Sequence, residues 1–225
     1  MAVDPRDVGR ALDAVRSRIA SAGGDLERIT VVAVTKGFGV DAAVAAHDAG
    51  LGDVGENYAQ ELVAKGRALA PGVAKGLRWH FLGTVQRNKV ASLTPYVSLW
   101  QAVDRVAAGR TIAARCPGAE VLIEVNGGDP GRPGCAPAAV PELAEALGGL
   151  GLAVRGLMAV GPLGPPETAR PLFRSVTALA DRLGLPERSM GMTDDLEVAV
   201  EEGTTLVRVG RALFGPRPGR RGVPG

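Results

Sequence analysis

The chain has 225 residues, of which 46% are hydrophobic and 22% charged, and its formal net charge is +2 at pH 7. The apolar fraction and the lack of a short repeat exclude a collagen-like, coiled-coil or wholly disordered chain. No run of about 18 apolar residues is present, so no membrane partner is predicted. The body of the chain carries no basic stripe, which argues against nucleic-acid binding.

The first ten residues, MAVDPRDVGR, contain acid and proline where a signal peptide has a basic and then an apolar region. We therefore expect a cytoplasmic protein. The two cysteines, Cys116 and Cys135, are not part of a CxxC motif, and the chain has only two histidines. A closed zinc site needs four ligands at close spacing, so we expect no metal and two reduced thiols.

Short β-branched or apolar segments alternate along the chain with segments rich in Ala, Leu, Glu and Arg. An opening helix is predicted over 4–22, because Asp4-Pro5 is a cap and first-turn signal. Eight strands are then predicted over 29–35, 53–55, 78–82, 97–103, 120–125, 154–160, 188–192 and 205–209. Helices are predicted between them over 40–49, 57–69, 85–92, 104–115, 137–147, 167–183 and 194–202.

This alternation is typical of a parallel α/β protein, and strands that are apolar on both faces fit a sheet covered by helices. Eight such units predict a single-domain (β/α)8 TIM barrel with an extra N-terminal helix. An open doubly wound sheet is the alternative, although no GxGxxG motif follows the first strand. We assign residues 1–216 to the barrel and expect a disordered tail over 217–225.

Lys36 ends the first predicted strand. In a barrel, that position lies at the C-terminal mouth, where catalytic groups are found. Burial lowers the pKa of a lysine and makes its amine a nucleophile for an aldehyde. An ordinary exposed lysine at a strand end is the alternative, and position alone favours it.

The segments around the last two predicted strands could bind an anion. Thr193 is expected to be the N-cap of the helix that follows, and Gly210 would let backbone N–H groups approach a ligand. Barrels often bind phosphate through these loops. Ordinary capping and a tight turn are the alternative, and for Thr193 alone they are the better explanation.

Arg208 interrupts an otherwise apolar strand. Because side chains alternate between the two faces of a strand, Arg208 lies on the face opposite to Val207 and Val209. A guanidinium inside a barrel is costly unless it is paired, so we expect Glu124, Glu56 or a ligand nitrogen as its partner. A purely structural ion pair is an equal alternative.

Three further residues are candidates by position. Asn57 follows the second strand, near the predicted mouth. His80 lies within the third strand, where a lone histidine is more often a satisfied core residue than a ligand. Met158 would normally be core filler.

Seven stretches of the sequence together carry a resemblance that runs through nearly the whole chain. They are VAVTK at 32–36, GENYAQE at 55–61, WHFLGTVQRNK at 79–89, VLIEVN at 121–126, RGLMAV at 155–160, GMTDDLEVAVEEGTTLVRVG at 191–210 and ALFG at 212–215. In this order they resemble the pyridoxal-phosphate homeostasis protein family, the YggS/PROSC-like group with an alanine-racemase-type barrel. The third and sixth stretches are specific motifs.

The resemblance implies pyridoxal 5'-phosphate (PLP) as the cofactor. The implied cofactor-binding residues are Lys36, Asn57, His80, Met158, Met192, Thr193, Arg208, Gly210 and Arg211. By the same resemblance, Lys36 forms a Schiff base with PLP, Arg208 faces the pyridine nitrogen, and the last two turns hold the phosphate. This chain has Thr193 where the family usually has Ser, and Arg211 where it often has Thr.

An arginine beside the pyridine nitrogen disfavours the protonated ring that PLP enzymes use as an electron sink. The resemblance to alanine racemases also implies a second acid/base, a tyrosine in a C-terminal domain of the partner chain, and Tyr58 and Tyr96 are not obviously placed for that role. We therefore expect a monomeric protein that buffers or delivers PLP, without robust catalysis and with PLP-dependent apoenzymes as candidate recipients. The alternatives are a slow PLP-dependent amino-acid racemase and a sugar-phosphate-binding barrel without PLP.

Overall fold

The structure, a computed structural model, describes residues 3–129 and 131–217. Its strands are β1 (Thr30–Val34), β2 (Asp53–Glu56), β3 (Arg78–Phe81), β4 (Val97–Val103), β5 (Glu120–Val125), β6 (Ala153–Ala159), β7 (Glu187–Ser189) and β8 (Leu206–Val209). Its α-helices are α1 (Pro5–Ser21), α2 (Val40–Asp48), α3 (Ala59–Ala68), α4 (Pro71–Gly76), α5 (Arg87–Leu93), α6 (Val106–Ala113), α7 (Val140–Gly149), α8 (Arg170–Leu183), α9 (Leu196–Glu201) and α10 (Arg211–Phe214).

The eight strands form a closed barrel in chain order, and every neighbouring pair is parallel. Closure is made by β1 and β8, whose register runs from Thr30 opposite Leu206 to Ala33 opposite Val209. The predicted (β/α)8 barrel with an additional N-terminal helix is therefore confirmed, and the open sheet is excluded.

Helix α1 is the element added in front of the barrel. It begins after Asp4, whose carboxylate accepts a hydrogen bond of 2.8 Å from the Arg6 backbone N–H, and Pro5 occupies the first turn. Its buried residues are Val8, Leu12, Val15 and Ile19, which recur at the spacing of one helical face. That face packs against α2, α9 and α10, so α1 covers the barrel beside its closing seam.

The strands separate two layers of side chains. Outward-facing residues such as Val207, Val209 and Trp79 belong to one large apolar layer between the strands and the helices. The interior holds a small separate apolar cluster, composed of Leu99, Ala102, Leu122 and Met158, and Leu206 is buried there as well. The rest of the described interior includes polar side chains, which are described below.

The structure differs from the predicted elements in four places, one of which is the short helix α10, which was not predicted after the last strand. Helix α4 was not expected, because Pro71 was interpreted as a stop signal, whereas it occupies the first turn of a new short helix. The expected N-cap role of Thr193 is wrong: α9 begins later, with Asp195 at the cap position. Strand β7 has only three residues.

Residues 218–225 lie outside the described part of the chain, so the predicted disordered tail stays a prediction. Over the residues that the structure covers, no helix is long and apolar enough to cross a membrane.

Candidate functional site

A cavity of about 680 Å³ opens at the C-terminal ends of the strands. Eight of the nine residues predicted for the site line it: Lys36, Asn57, Met158, Met192, Thr193, Arg208, Gly210 and Arg211. They come from both ends of the chain, and the closure of the barrel brings them together. The basic side chains at the cavity are Lys36, Arg208, Arg211 and Arg217, against the two acidic side chains of Glu124 and Asp194. The cavity therefore favours an anionic ligand.

Lys36 lies two positions after Val34, the last residue of β1, and is partly buried in the cavity wall. Burial lowers the pKa of its amine below the ordinary value, and the positive charges of Arg217 and Arg208 lower it further. No described residue forms a hydrogen bond with its Nζ atom. A lysine amine with a lowered pKa, facing an open cavity, can attack an aldehyde.

A buried ion pair supports the backbone immediately before Lys36. The Lys65 ammonium donates a hydrogen bond of 2.8 Å to the Thr35 carbonyl and forms a salt bridge with the fully buried Glu56. The Thr35 hydroxyl donates to the same Glu56 oxygen, at 2.8 Å. The cluster of Thr35, Glu56 and Lys65 thus fixes the end of β1. Sequence reasoning missed Lys65.

Arg208 is the buried cation of the site. Its Nη1 atom donates to the carbonyl and hydroxyl oxygens of Ser189, both at 2.6 Å, and its Nη2 atom donates to the Ala159 carbonyl at 2.8 Å. Burial lowers the pKa of Arg208 to about 10, which leaves it charged at neutral pH. The expected ion pair with Glu124 or Glu56 is wrong, because neutral oxygens satisfy the guanidinium instead.

Two turns at the cavity rim present backbone N–H groups. Neither Thr193 nor Arg211 donates its N–H to another described residue, and the Thr193 hydroxyl accepts from Ala212 N at 3.3 Å. A Cβ atom at Gly210 would lie 3.0 Å from the Val34 carbonyl oxygen, so a side chain at this position would crowd the end of β1. The Arg211 side chain is exposed and pairs with Asp194 at the rim.

Helix α1 supports the first of these turns through Arg18. Its Nη2 atom donates to the Thr193 carbonyl at 2.8 Å, and the guanidinium also pairs in bidentate fashion with Glu197 of α9, at 2.6 and 2.7 Å. The extra N-terminal helix therefore contributes to the site as well as to packing. No motif in the sequence marked Arg18.

Asn57 carries an unsatisfied polar atom. Its Oδ1 atom is buried and has no hydrogen-bond partner within the described structure. The loop after β3 approaches it so closely that a Cβ atom at Gly83 would lie 2.0 Å from the Asn57 carbonyl oxygen. A buried amide oxygen without a partner is costly, which is expected where a ligand supplies the missing group.

His80 is the predicted site residue that does not line the cavity. It is fully buried inside the barrel, with Nε2 at 2.9 Å from Asp53 Oδ1 and Nδ1 at 2.7 Å from Gln101 Nε2. Alternation along β3 places His80 in the interior, but closer to the N-terminal end of the barrel than the cavity is. Gln101 and Ser189, which sequence reasoning passed over, are its neighbours in this network.

Glu124 lies where the main cavity meets a side cavity of about 390 Å³. Burial raises the pKa of its carboxyl group to about 7, with a smaller contribution from Asp104, while Arg208 acts in the opposite direction. Within the described residues, no cluster of three or more His, Cys, Asp or Glu side chains could hold a metal ion.

The closed parallel barrel, with its mouth cavity and a lysine just beyond the end of β1, places the chain among proteins with an alanine-racemase-type barrel. A family model described as "Alanine racemase, N-terminal domain" matches residues 11–218. Alanine racemase from Corynebacterium glutamicum shares the fold, with a TM-score of 0.72 at 17% identity over 98% of this chain and 64% of its own.

Relatives of similar length narrow this class. A pyridoxal phosphate homeostasis protein from Pseudomonas aeruginosa is 38% identical over 96% of this chain and 97% of its own. The PipY protein of Synechococcus elongatus, solved with PLP bound, superposes with a TM-score of 0.77 at 28% identity, over 92% of this chain and 100% of its own. The chain belongs to the pyridoxal phosphate homeostasis protein family. The resemblance seen in the sequence motifs is thereby confirmed.

Proposed function

We propose that this protein binds PLP as a Schiff base on Lys36 and acts in PLP homeostasis, by buffering or delivering the cofactor. The observation that carries the proposal is the placement of Lys36, a partly buried amine with a lowered pKa, in a cavity rich in positive charge. The PLP-bound PipY structure supports the same ligand. It also favours PLP over the sugar-phosphate alternative.

The residues present fit this cofactor. Its phosphate needs positive charge and free N–H groups, which the turns at Thr193 and Arg211 offer. Its polar ring substituents need hydrogen-bond partners, and Asn57 Oδ1 is a buried acceptor that lacks one. Met158 supplies an apolar wall. PLP, when bound, supplies an aldehyde and an electron-accepting ring.

Arg208 is proposed to face the ring nitrogen. Its charge at neutral pH opposes protonation of that nitrogen and so restrains carbanion chemistry. This supports a carrier over an efficient catalyst. Among the described residues, Glu124 is a carboxyl group in the cavity that titrates near neutrality, and it keeps a slow racemase as the second candidate. Deuterium exchange at Cα of added amino acids separates the two functions.

The wider predictions concern partners and location. We infer that the protein is a monomer, works in the cytoplasm and passes PLP to apoenzymes.

The test is borohydride reduction of the purified protein after addition of PLP. In the wild type we expect an absorbance band that reduction bleaches, with the pyridoxyl group attached at Lys36 in peptide mapping. Lys36→Ala should show neither, whereas Lys75→Ala, at an exposed lysine of α4, should behave as wild type. Label spread evenly over the lysines, or no label at all, would overturn the proposal.

A further inference from the structure

A chain of hydrogen-bonded side chains runs through the barrel interior, away from the cofactor cavity. It starts at Arg208 on β8, which donates to the Ser189 hydroxyl on β7 at 2.6 Å. The Ser189 hydroxyl in turn donates to Gln101 Oε1 on β4, at 2.7 Å. Arg208 is therefore linked to the far side of the barrel by a side chain that does not line the cavity.

The chain continues to the opposite end of the barrel. Gln101 Nε2 lies 2.7 Å from His80 Nδ1 on β3, and His80 Nε2 lies 2.9 Å from Asp53 Oδ1. Asp53 is the first residue of β2, at the N-terminal end, where its carboxylate also meets the exposed Arg78. Five strands thus contribute one member each.

The donors along this chain all point in one direction. With Gln101 Nε2 donating to His80 Nδ1, the imidazole proton lies on Nε2 and faces the Asp53 carboxylate. The amide oxygen of Gln101 is then free to accept from Ser189. The Ser189 hydroxyl can consequently present its lone pairs only to Arg208, which fixes the guanidinium on that side.

Stability alone does not account for these residues. TIM-barrel interiors are normally filled by layers of branched apolar side chains. Here His80, Gln101 and Ser189 are fully buried, and Arg208 is 5% exposed. Burying polar groups in a satisfied network gives no clear gain over well-packed apolar residues. Packing alone therefore does not explain why these residues are polar.

We propose that Asp53, His80 and Gln101 are positioning residues, which act through Ser189 to hold the Arg208 guanidinium in one orientation at the cofactor cavity. The contact of Arg208 with the cofactor ring rests on the proposed function. The positioning itself does not, because every link is made by residues of the chain.

The first test needs no cofactor. Gln101→Met keeps the side-chain volume but removes both hydrogen bonds. The matched control is Leu206→Met, a buried position on the same strand and the same face as Arg208. In NMR of arginine side chains, the resonance that disappears in Arg208→Lys should exchange slowly with solvent in the wild type and the control. It should exchange at least about tenfold faster in Gln101→Met.

The second test uses the PLP-loaded protein. The charged groups facing Arg208 are Lys36, Glu124 and Asp195, and all are unchanged in both variants. If Arg208 loses its fixed position, its like-charge effect on the ring nitrogen weakens. The pKa of the ring nitrogen, read as the pH midpoint of the change in cofactor absorbance, should then rise by about one unit in Gln101→Met and stay constant in the control.

The outcomes are distinguishable from failure of the proposed function. If the wild type does not bind PLP, the proposed function fails, and the exchange measurement still decides the positioning role. Unchanged exchange and an unchanged midpoint in folded Gln101→Met would overturn the inference. If Gln101→Met does not fold, Ser189→Ala breaks the chain at the link next to Arg208. Loss of folding in both variants, with a folded control, would leave the chain a structural role only.

Discussion

The two faces of the barrel strands differ in what they bury. The outward face packs an almost wholly apolar layer beneath the helices, whereas the inward face buries His80, Gln101, Ser189 and Arg208 together with a smaller set of apolar residues. Apolar packing is tolerant of substitution, because it depends on volume and pattern. A hydrogen-bonded interior is not, since each partner must stay in place. The outer layer therefore determines the fold, and the interior positions the site.

One polar cluster breaks this rule, and it lies directly beneath Lys36. Glu56 and Lys65 face each other in the outer layer at the end of β2, and both are buried. Burial raises the pKa of Glu56, while Lys65 opposes this effect. One of the Glu56 carboxylate oxygens has no partner in the described structure.

The largest expected effect on stability comes from breaking the ion pair of Glu56 and Lys65. Lys65→Met leaves the Glu56 carboxylate buried without its counter-ion, so we expect the free energy of unfolding to fall by about 3–5 kcal/mol. The double variant Glu56→Gln/Lys65→Met removes both charges and should recover most of the loss. Urea unfolding of the two variants and the wild type measures this.

A substitution in the apolar part of the same layer separates the effect of Lys65 on stability from its effect on PLP binding. Leu147→Ala, at a fully buried position of α7, should cost about 2–5 kcal/mol but leave PLP affinity unchanged below the unfolding transition. Lys65→Met should additionally weaken PLP binding, because the Thr35 carbonyl beside Lys36 loses its donor. Equal PLP affinity in the two folded variants would contradict this distinction.

An intermediate effect is expected at Glu124, in the interior. Its pKa is about 7 in the folded protein, against the ordinary value of 4.5 for a glutamate, so the folded state binds the proton more tightly. Stability therefore falls as pH rises through this window, by at most about 3 kcal/mol. Glu124→Gln removes the dependence, so the variant should match the wild type near pH 4 and exceed it at pH 8. Thermal melts across this range would refute the idea if the two curves stayed parallel.

The smallest effect concerns the contact between α1 and the mouth. Arg18→Ala removes the donor to the Thr193 carbonyl, so the turn proposed to bind phosphate should become less ordered. We expect PLP affinity to weaken by about 3–10-fold. Arg10→Ala, on the same helix but exposed and paired only with Asp7, is the control. Equal dissociation constants of PLP for the two variants, measured by fluorescence titration, would show that the contact between Arg18 and Thr193 does not affect binding.

The sequence predicted most of the fold and two of the basic residues at the cavity, Lys36 and Arg208, for identifiable reasons. Strand alternation and apolar runs are strong signals, and they placed Lys36 at the mouth and Arg208 in the interior. Partner choice was harder, because alternation tells which face a residue occupies but not its level along the barrel. The prediction therefore offered Arg208 two carboxylates as partners, whereas in the structure its guanidinium donates to the Ser189 hydroxyl and to main-chain carbonyl oxygens.

Long-range contacts account for what the sequence did not show. Gln101 lies in the largely apolar strand β4, which is a usable signal, but Ser189 ends the wholly polar strand β7 and carries none. The pairing of the two residues across 88 positions depends on barrel closure. Arg18 and Thr193 are separated by 175 positions and meet only because α1 covers the closing seam. The cap at Asp195 replaced Thr193 because the turn 193–195 delays the start of α9.

Closure of the barrel also constrains any handover of the ligand. Each strand has a neighbour on both sides, so the sheet has no free edge. Another protein cannot dock by adding a strand, as many recognition domains do. A recipient would have to recognise the loops that surround the mouth, where the exposed pair of Arg211 and Asp194 forms part of the rim. Surface charge at the rim, rather than backbone pairing, would then decide which recipients can approach Lys36.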